Sequence, residues 1–281
     1  MECNPGTMTK IRIPSLAGFT WLVLAGLLAL GAAGCHSAPR EASARTFRVM
    51  TYNIHHGAGV DGRIDFQRIA DLIKREQADI VALQEVDKGV QRTARRDCPA
   101  ELAALTGMSC VFSNNFHFQG GEYGNAVLTR FPIKRWTNRH YKMLRPDEQR
   151  GLLQVVLEVH GRELVFLNTH IDFRADDSER LVNAAEILEA IQACRGQPII
   201  LCGDFNDTPG SRTHQKVAQA FTDTWTTAGA GDGFTIPAEQ PRKRIDYIWL
   251  VKDSALEPLK AWVPESQASD HLPVVTELRF R

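Results

Sequence analysis

The chain carries no excess of either charge: Lys and Arg number 33, Asp and Glu 33, over 281 residues. A protein that follows a nucleic-acid backbone usually shows a basic surplus. The balance argues mildly against a nuclease and leaves room only for a local basic patch. Cysteine is scarce as well. There are six, and no two stand in the Cys-X-X-Cys spacing of a zinc ribbon. Cys3 falls in the N-terminal leader; Cys98, Cys110, Cys194 and Cys202 fall in the body of the chain. Cys202 closes the apolar run Pro198–Cys202 and reads as a buried thiol acting as a small hydrophobe. No stretch rich in Pro, Gly and Ser interrupts residues 46–281, and no repeat recurs, so that segment is expected to be one domain.

The N-terminus differs from the rest. Lys10 and Arg12 precede an apolar stretch, Leu16 to Leu30, which ends in Gly31-Ala32-Ala33-Gly34-Cys35. A basic region, an apolar region and small residues before a cut describe an export signal. With Cys after Ala-Ala-Gly it resembles a bacterial lipoprotein signal, although that pattern prefers Leu where Ala32 stands. The resemblance implies that residues 1–34 are removed, that Cys35 carries the lipid, and that residues 35–45 tether the domain to a membrane. An uncleaved anchor is the rival reading. His36, rather than Asp, leans toward outer-membrane sorting. The expected location is thus the cell envelope, as an exported lipoprotein of the outer membrane or periplasm.

Along the body, β-branched and aromatic runs predict strands at 47–54, 79–84, 111–118, 125–129, 152–159, 164–168, 199–202, 245–251 and 274–280. His160-Gly161 marks a hairpin turn. Helical spacing follows Asp65, a candidate N-cap, and recurs over 99–106, closed by Gly107. Over 178–193 it sets Leu181, Ala184, Ala185, Leu188 and Ile191 on one stripe. Strands outnumber helices and hairpins mix with crossovers. The class is α/β, with two packed sheets and helices outside.

Chemistry collects at the ends of those runs. Asn53, Glu85, His170, Asp204 with Asn206, Asp246, and Asp270 with His271 each adjoin an apolar segment. One such residue is ordinarily a turn or cap. Six segments all supplying ligand or acid–base groups point to one shared rim. The ordered set Thr-Tyr-Asn53-Ile, Leu-Gln-Glu85-Val, Asn-Thr-His170-Ile-Asp172, Gly-Asp204-Phe-Asn206, Arg-Ile-Asp246-Tyr and Ser-Asp270-His271 resembles the endonuclease/exonuclease/phosphatase superfamily. The segment Tyr123–Ile133 resembles its central strand and turn.

That resemblance implies a four-layer sandwich of two mixed β-sheets flanked by helices, and a Mg²⁺-dependent hydrolase of phosphate esters, with Mn²⁺ as a substitute. It implies that Glu85 is the metal ligand with Asn53 and Asp270 beside it. Asp204 and His271 share the role of directing the water, Asn206 holds a phosphoryl oxygen, and Asp246 pairs His271. His170 would bind phosphate or serve the leaving oxygen. Asn53, Asn125, Arg150 and Asp172 are candidate substrate contacts. Arg92, Arg95 and Arg96, the aromatic residues Phe116, Phe118 and Tyr123, and His55 with His56 are weaker candidates for lining the cleft. Phosphoryl transfer asks for position and charge rather than a covalent nucleophile, so no Ser or Cys nucleophile is expected. The expected substrate is a phosphorylated small molecule, a phospholipid or a nucleic acid, and the expected state a monomer. A surface nuclease on the same site is the alternative within the class. A catalytically silent binding module is the alternative outside it.

Overall fold

The computed structural model describes residues 46–281; the expected leader, the lipidation site Cys35 and the tether lie outside the described residues. Twelve strands among the described residues form two six-stranded sheets. The first contains β1 (Thr46–Asn53), β2 (Ile80–Lys88), β3 (Ser109–Phe118), β4 (Gly121–Thr129), β11 (Leu256–Trp262) and β12 (Val274–Phe280), in the order β11-β12-β1-β2-β4-β3. The second contains β5 (Ile133–His140), β6 (Gly151–Val159), β7 (Arg162–His170), β8 (Ile199–Asp204), β9 (Phe221–Asp223) and β10 (Asp246–Val251), in the order β5-β6-β7-β8-β10-β9. Both sheets are mixed: β1 runs parallel to β2 and β7 parallel to β8, while the remaining pairs are antiparallel.

Three apolar clusters make four layers. The inner one joins Phe47, Val49, Ile80, Ala82 and Val127 of the first sheet to Phe166, Ile200, Cys202 and Ile248 of the second. Helices α1 (Phe66–Arg75) and α2 (Cys98–Thr106) cover the outer face of the first sheet, where Ile69, Leu72 and Leu102 meet Tyr52, Val81 and Leu83. Helices α3 (Ser178–Ala190) and α4 (Arg212–Val217) cover the second, where Ala184, Ile187 and Val217 meet Val165, Leu201 and Trp249. Full burial of an aliphatic side chain is worth roughly 1.5–3 kcal/mol, so this stack holds the strand ends rigidly. The expected caps are present. Asp65 accepts from the amides of Gln67 and Arg68, and Gly107 closes α2 at φ +70°. Cys98, Cys110, Cys194 and Cys202 are free thiols, and Cys202 is buried as expected.

Strands β5, β9 and β11 are additions to the nine expected; β5 is largely exposed, β11 is only partly buried, and neither carries an apolar run. Two local expectations also change. The strand predicted to stop at Gln84 runs on to Lys88, so Glu85 lies inside β2, in a β-bulge where the register against β4 slips between Leu83 and Val86. The buried face of α3 is also rotated. Ala185 is exposed, and Glu179, Arg180 and Asn183 turn inward. Arg180 reaches Asp207 (Nε–Oδ2 3.2 Å) and the Asp172 carbonyl, so ion pairing overrides the apolar stripe.

Strand periodicity explains how the rim forms. Paired residues in adjacent strands share a face, and every second residue along a strand returns to it. On β7 the inner face reads Phe166, Asn168, His170; on β8 it reads Ile200, Cys202, Asp204; on β1 it reads Val49, Thr51, Asn53. The register sets His170 beside Asp204 and Asp204 beside Asp246. The inner face therefore passes from apolar core, through neutral polar residues, to charged groups at the edge.

Candidate active site

At that edge lies a cleft of about 360 Å³ lined by Glu85, Arg92, Phe116, Phe118, Tyr123, Glu148, Arg150, His170, Phe173, Asp204, Asn206 and His271. Both sheets contribute. Glu85 comes from the bulge in β2, His170 and Asp204 from the C-terminal ends of β7 and β8. His271 comes from the loop before β12.

The bulge aims Glu85. Its backbone adopts φ +59°, in the left-handed region that non-glycine residues avoid. Two contacts hold it there. Asn53 Nδ2 donates to Glu85 Oε1 at 2.9 Å and to Asp204 Oδ2 at 3.0 Å, so one amide spans the two sheets. Behind it, Asn168 Nδ2 donates to the carbonyls of Leu83 (2.9 Å) and Ala126 (2.8 Å), the last aligned pair before the slip. Asn168 Oδ1 accepts from Gln84 Nε2 at 2.7 Å. The Asn53 carbonyl accepts from Ser269 Oγ at 2.7 Å, which ties the Ser269–His271 loop to the end of β1.

Two histidines differ in charge. His271 Nδ1 donates to Asp246 Oδ2 at 2.9 Å, and its Nε2 lies 3.8 Å from Asp204 Oδ2. Burial opposes a charge on this ring. The bonded Asp246 carboxylate, with Asp204 and Asp270 beyond it, outweighs that and raises the His271 pKa to about 10. The ring is an imidazolium at neutral pH. His170 Nδ1 accepts from Arg150 Nη1 at 2.8 Å. Its proton therefore sits on Nε2, facing Asp204 Oδ2 at 3.4 Å, while Asn206 Nδ2 donates to the Ile171 carbonyl at 3.1 Å beside the ring. Burial, then Arg150 and His271, hold His170 well below its ordinary pKa, so this ring is neutral. Asp204 is pushed up from the usual carboxylate range, first by burial and then by Asp246, against the pull of His271. One oxygen of Asp246, Oδ1, is buried without a partner.

Positive charge enters from two arginines. Arg150 is 7 % exposed, pairs with Glu148 (2.9 Å) and stacks on Phe173. Arg92 is gripped by the fully buried Asp87 through two 2.8 Å bonds and lies over the rings of Phe118 and Tyr123. Of the weaker candidates, Arg92, Phe116, Phe118 and Tyr123 thus line the cleft. Arg95 and Arg96 instead bind the Gly89 and Gly120 carbonyls and Glu101 respectively.

Five expected site residues do not line the cleft: Asn53 and Asp246 stand behind it, bonded to Glu85, Asp204 and His271, and three others lie apart. Asn125 is buried and reaches the Gly151 carbonyl at 3.4 Å, bracing the strand that follows Arg150. Asp172 is taken up by the Arg174 side chain and backbone amide rather than presented to a substrate. Asp270 is half-exposed and faces His55 Nδ1 at 3.7 Å. Glu148 and Phe173 line the cleft and were not anticipated. Glu148 sits in an irregular loop whose composition carries no periodic signal, and Phe173 is a single aromatic beside charged residues.

The donor chemistry fits a hard divalent cation at Glu85. The carboxylate is oriented by Asn53, lies on the cleft wall, and is one hydrogen bond from the nitrogen that also holds Asp204. His55 and His56 adjoin it, and one ring nitrogen of each lies within 4.8 Å of the other and of a Glu85 oxygen. Burial, then Arg92, hold His56 down at about 3.

Similarity to known proteins agrees with this geometry. The chain is 28 % identical to the Escherichia coli (strain K12) protein YbhP over 258 residues, 86 % of this chain and all of that one. Its fold superposes on an endonuclease/exonuclease/phosphatase from Beutenbergia cavernae with a TM-score of 0.70 at 27 % identity, covering 84 % of this chain and 72 % of the other. It superposes on a Bacteroides thetaiotaomicron mannosyl-6-phosphatase with a TM-score of 0.71 at 18 % identity, covering 83 % and 100 %. Residues 50–271 match the model of the Endonuclease/Exonuclease/phosphatase family. With that match spanning both sheets and every group of the cleft, the chain belongs to the endonuclease/exonuclease/phosphatase family, whose chemistry is hydrolysis of phosphoester-type substrates.

Proposed function

We propose that the protein is a Mg²⁺-assisted hydrolase of a small phosphoester, acting by in-line attack of water. The observation that carries this reading is the convergence of a carboxylate, an imidazolium and a neutral imidazole. Asp204 Oδ2 lies 3.4 Å from His170 Nε2 and 3.8 Å from His271 Nε2 at one cleft. Asp204, with its raised pKa, accepts the proton of the attacking water. The His271 imidazolium, held by Asp246, presents Nε2–H to the phosphoryl oxygen on which charge grows. His170 Nε2–H and the Asn206 amide face the same space, and Arg150 contributes a fixed cation. A divalent ion at Glu85, Mg²⁺ with Mn²⁺ as substitute, would supply neutralisation of phosphoryl charge.

A small substrate is favoured over a nucleic acid for two reasons. Formal charge is zero, and the described arginines at the cleft are each paired with a carboxylate rather than spread along a groove. The aromatic wall of Phe116, Phe118 and Tyr123 suits a leaving group with an apolar or ring face. A phospholipid head or a phosphorylated metabolite meets that description. Location belongs to the same proposal. The Gly34-Cys35 junction supports an exported, lipid-anchored protein of the cell envelope.

The test is a substrate panel of aryl phosphodiester, aryl phosphomonoester, sphingomyelin, inositol phosphates and DNA, with Mg²⁺ and with EDTA. Glu85→Gln and His271→Ala are each expected to lower kcat by about 10²–10⁴-fold with an unchanged circular dichroism spectrum. Turnover equal to the wild type in both variants would refute the assignment and favour a silent binding module.

A further inference from the structure

The bond between His271 and Asp246 joins segments 25 residues apart, at 2.9 Å. Such a pair keeps its geometry only if both backbones are fixed. The connection from α5 (Thr224–Ala228) to β10 lies between them and occupies residues 229–245. Connections beyond roughly 12–15 residues in a compact domain are usually functional. This one is anchored at its base. Trp225, part of the inner core, donates from Nε1 to the Gly231 carbonyl at 3.0 Å. Gly233, at φ +65°, lies against the same indole, where a β-carbon would stand 2.4 Å from the ring. Farther along, Ile236 and Lys243 pair as a short antiparallel bridge.

Thr235, fully buried, sits where this loop meets the two segments. Its amide donates to the Lys243 carbonyl at 2.7 Å. Its carbonyl accepts from the Leu272 amide at 2.7 Å, one residue beyond His271. Its hydroxyl oxygen accepts from the Ile245 amide at 3.3 Å, one residue before Asp246. One residue thus bonds to the neighbours of both members of the pair. Other ties hold each segment separately. The Ala238 amide donates to the Asp270 carbonyl at 2.7 Å, and the Phe205 amide to the Ile245 carbonyl at 2.8 Å. Arg244 Nη1 donates to Asp223 Oδ2 at 2.6 Å. The Thr235 hydroxyl is what links one segment to the other. Without it the buried Ile245 amide loses its acceptor, which costs the desolvation of that group.

We propose that Thr235 is a positioning residue for the reaction. It fixes the Ile245–Asp246 and His271–Leu272 segments relative to each other, and so holds the His271 ring on Asp246 with Nε2 toward the cleft. The inference rests on the reading of His271 and Asp246 as the phosphate-facing pair. It adds a residue of the loop 229–245 that touches neither substrate nor cation. Because the link is a hydroxyl, Ser can replace Thr here, whereas Val keeps the shape and loses the function.

The experiment compares wild type, Thr235→Val and Thr235→Ser in two ways. In proton NMR the hydrogen-bonded Nδ1 proton of His271, assigned by its loss in His271→Ala, is expected as a resolved downfield signal in wild type and Thr235→Ser. In Thr235→Val it is expected to be broadened or lost. In Mg²⁺-dependent hydrolysis of the best substrate of the panel, Thr235→Val is expected to lower kcat by about 10–10²-fold with KM unchanged, and Thr235→Ser to retain wild-type kcat. In an Asp246→Asn background the further loss from Thr235→Val is expected to fall below about twofold, since both changes act on one pair. No such signal in the wild type, an unchanged signal in Thr235→Val, or losses that multiply in full in the double variant would overturn the proposal. So would a Thr235→Val protein that loses stability and keeps its kcat. Should Thr235→Val not fold, Thr235→Ala, which demands no space, carries the same measurements. A wild type that shows the His271 signal and hydrolyses nothing counts against the proposed function, and the NMR comparison then decides the role of Thr235.

Discussion

Replacing Asn168 by Leu tests how the fold secures the catalytic carboxylate. Asn168 is fully buried between the sheets and forms three short hydrogen bonds, to the carbonyls of Leu83 and Ala126 and from Gln84 Nε2. Leu is close in volume, so little cavity opens and the loss is polar. Two buried carbonyls lose a donor just where the ladder slips. Gln84 Nε2 keeps only Thr51 Oγ1, at 3.2 Å. At roughly 1–1.5 kcal/mol for each bond, with a further charge for groups left desolvated, the variant should lose about 3–5 kcal/mol. That is a large part of the ~5–15 kcal/mol typical of a domain. Urea denaturation in EDTA measures it. The bulge that bears Glu85 also loosens, so the Mg²⁺ concentration for half-maximal hydrolysis should rise in the same variant. A loss under about 1 kcal/mol with an unchanged m-value would show that Asn168 does not secure the bulge.

Other outcomes follow from the charges. His271 has a raised folded pKa, so its stabilisation is complete below its ordinary value near 6.5 and is lost as pH rises through about 10. Asp204, also raised, slopes the same way as pH rises through the carboxylate range. Stability in EDTA should therefore fall between about pH 6.5 and 10, and Asp246→Asn should flatten that slope in denaturation at a series of pH values. Arg150→Met removes the donor to His170 Nδ1 and leaves Glu148 unpaired; kcat/KM should drop by about 10²-fold, with His170 titrating higher by NMR. Asn53→Ala unlinks Glu85 from Asp204 and should weaken metal binding by about tenfold, read by calorimetry. Asp87→Ala removes the buried carboxylate that grips the half-buried Arg92; a loss of about 1–3 kcal/mol is expected by denaturation.

The catalytic groups were legible because each adjoins its own apolar run. Asn53, His170, Asp204 and Asp246 stand where strand content stops or starts, and the period of two brings them to the inner face. Glu85 was legible as a residue and not as a conformation. Its φ of +59° depends on Asn125 opposing both Gln84 and Glu85 across β4, a pairing 40 residues distant. The contacts that set charge were similarly hidden. Arg150 meets His170 across two strands, and His271 meets Asp246 over 25 residues. The stripe on α3 misled because Arg180 found Asp207, an ion pair that periodicity does not report.

By itself, then, the chain's pattern determined nine of the twelve strands, the two-sheet class and the identity of the groups at the rim, since side-chain alternation and apolar runs are local properties. Tertiary structure decided which histidine is charged, which arginines face the cleft and how Glu85 is aimed. Those depend on burial and on partners brought within 3 Å by folding, and electrostatic energies at that range are set by neighbours in space rather than in sequence.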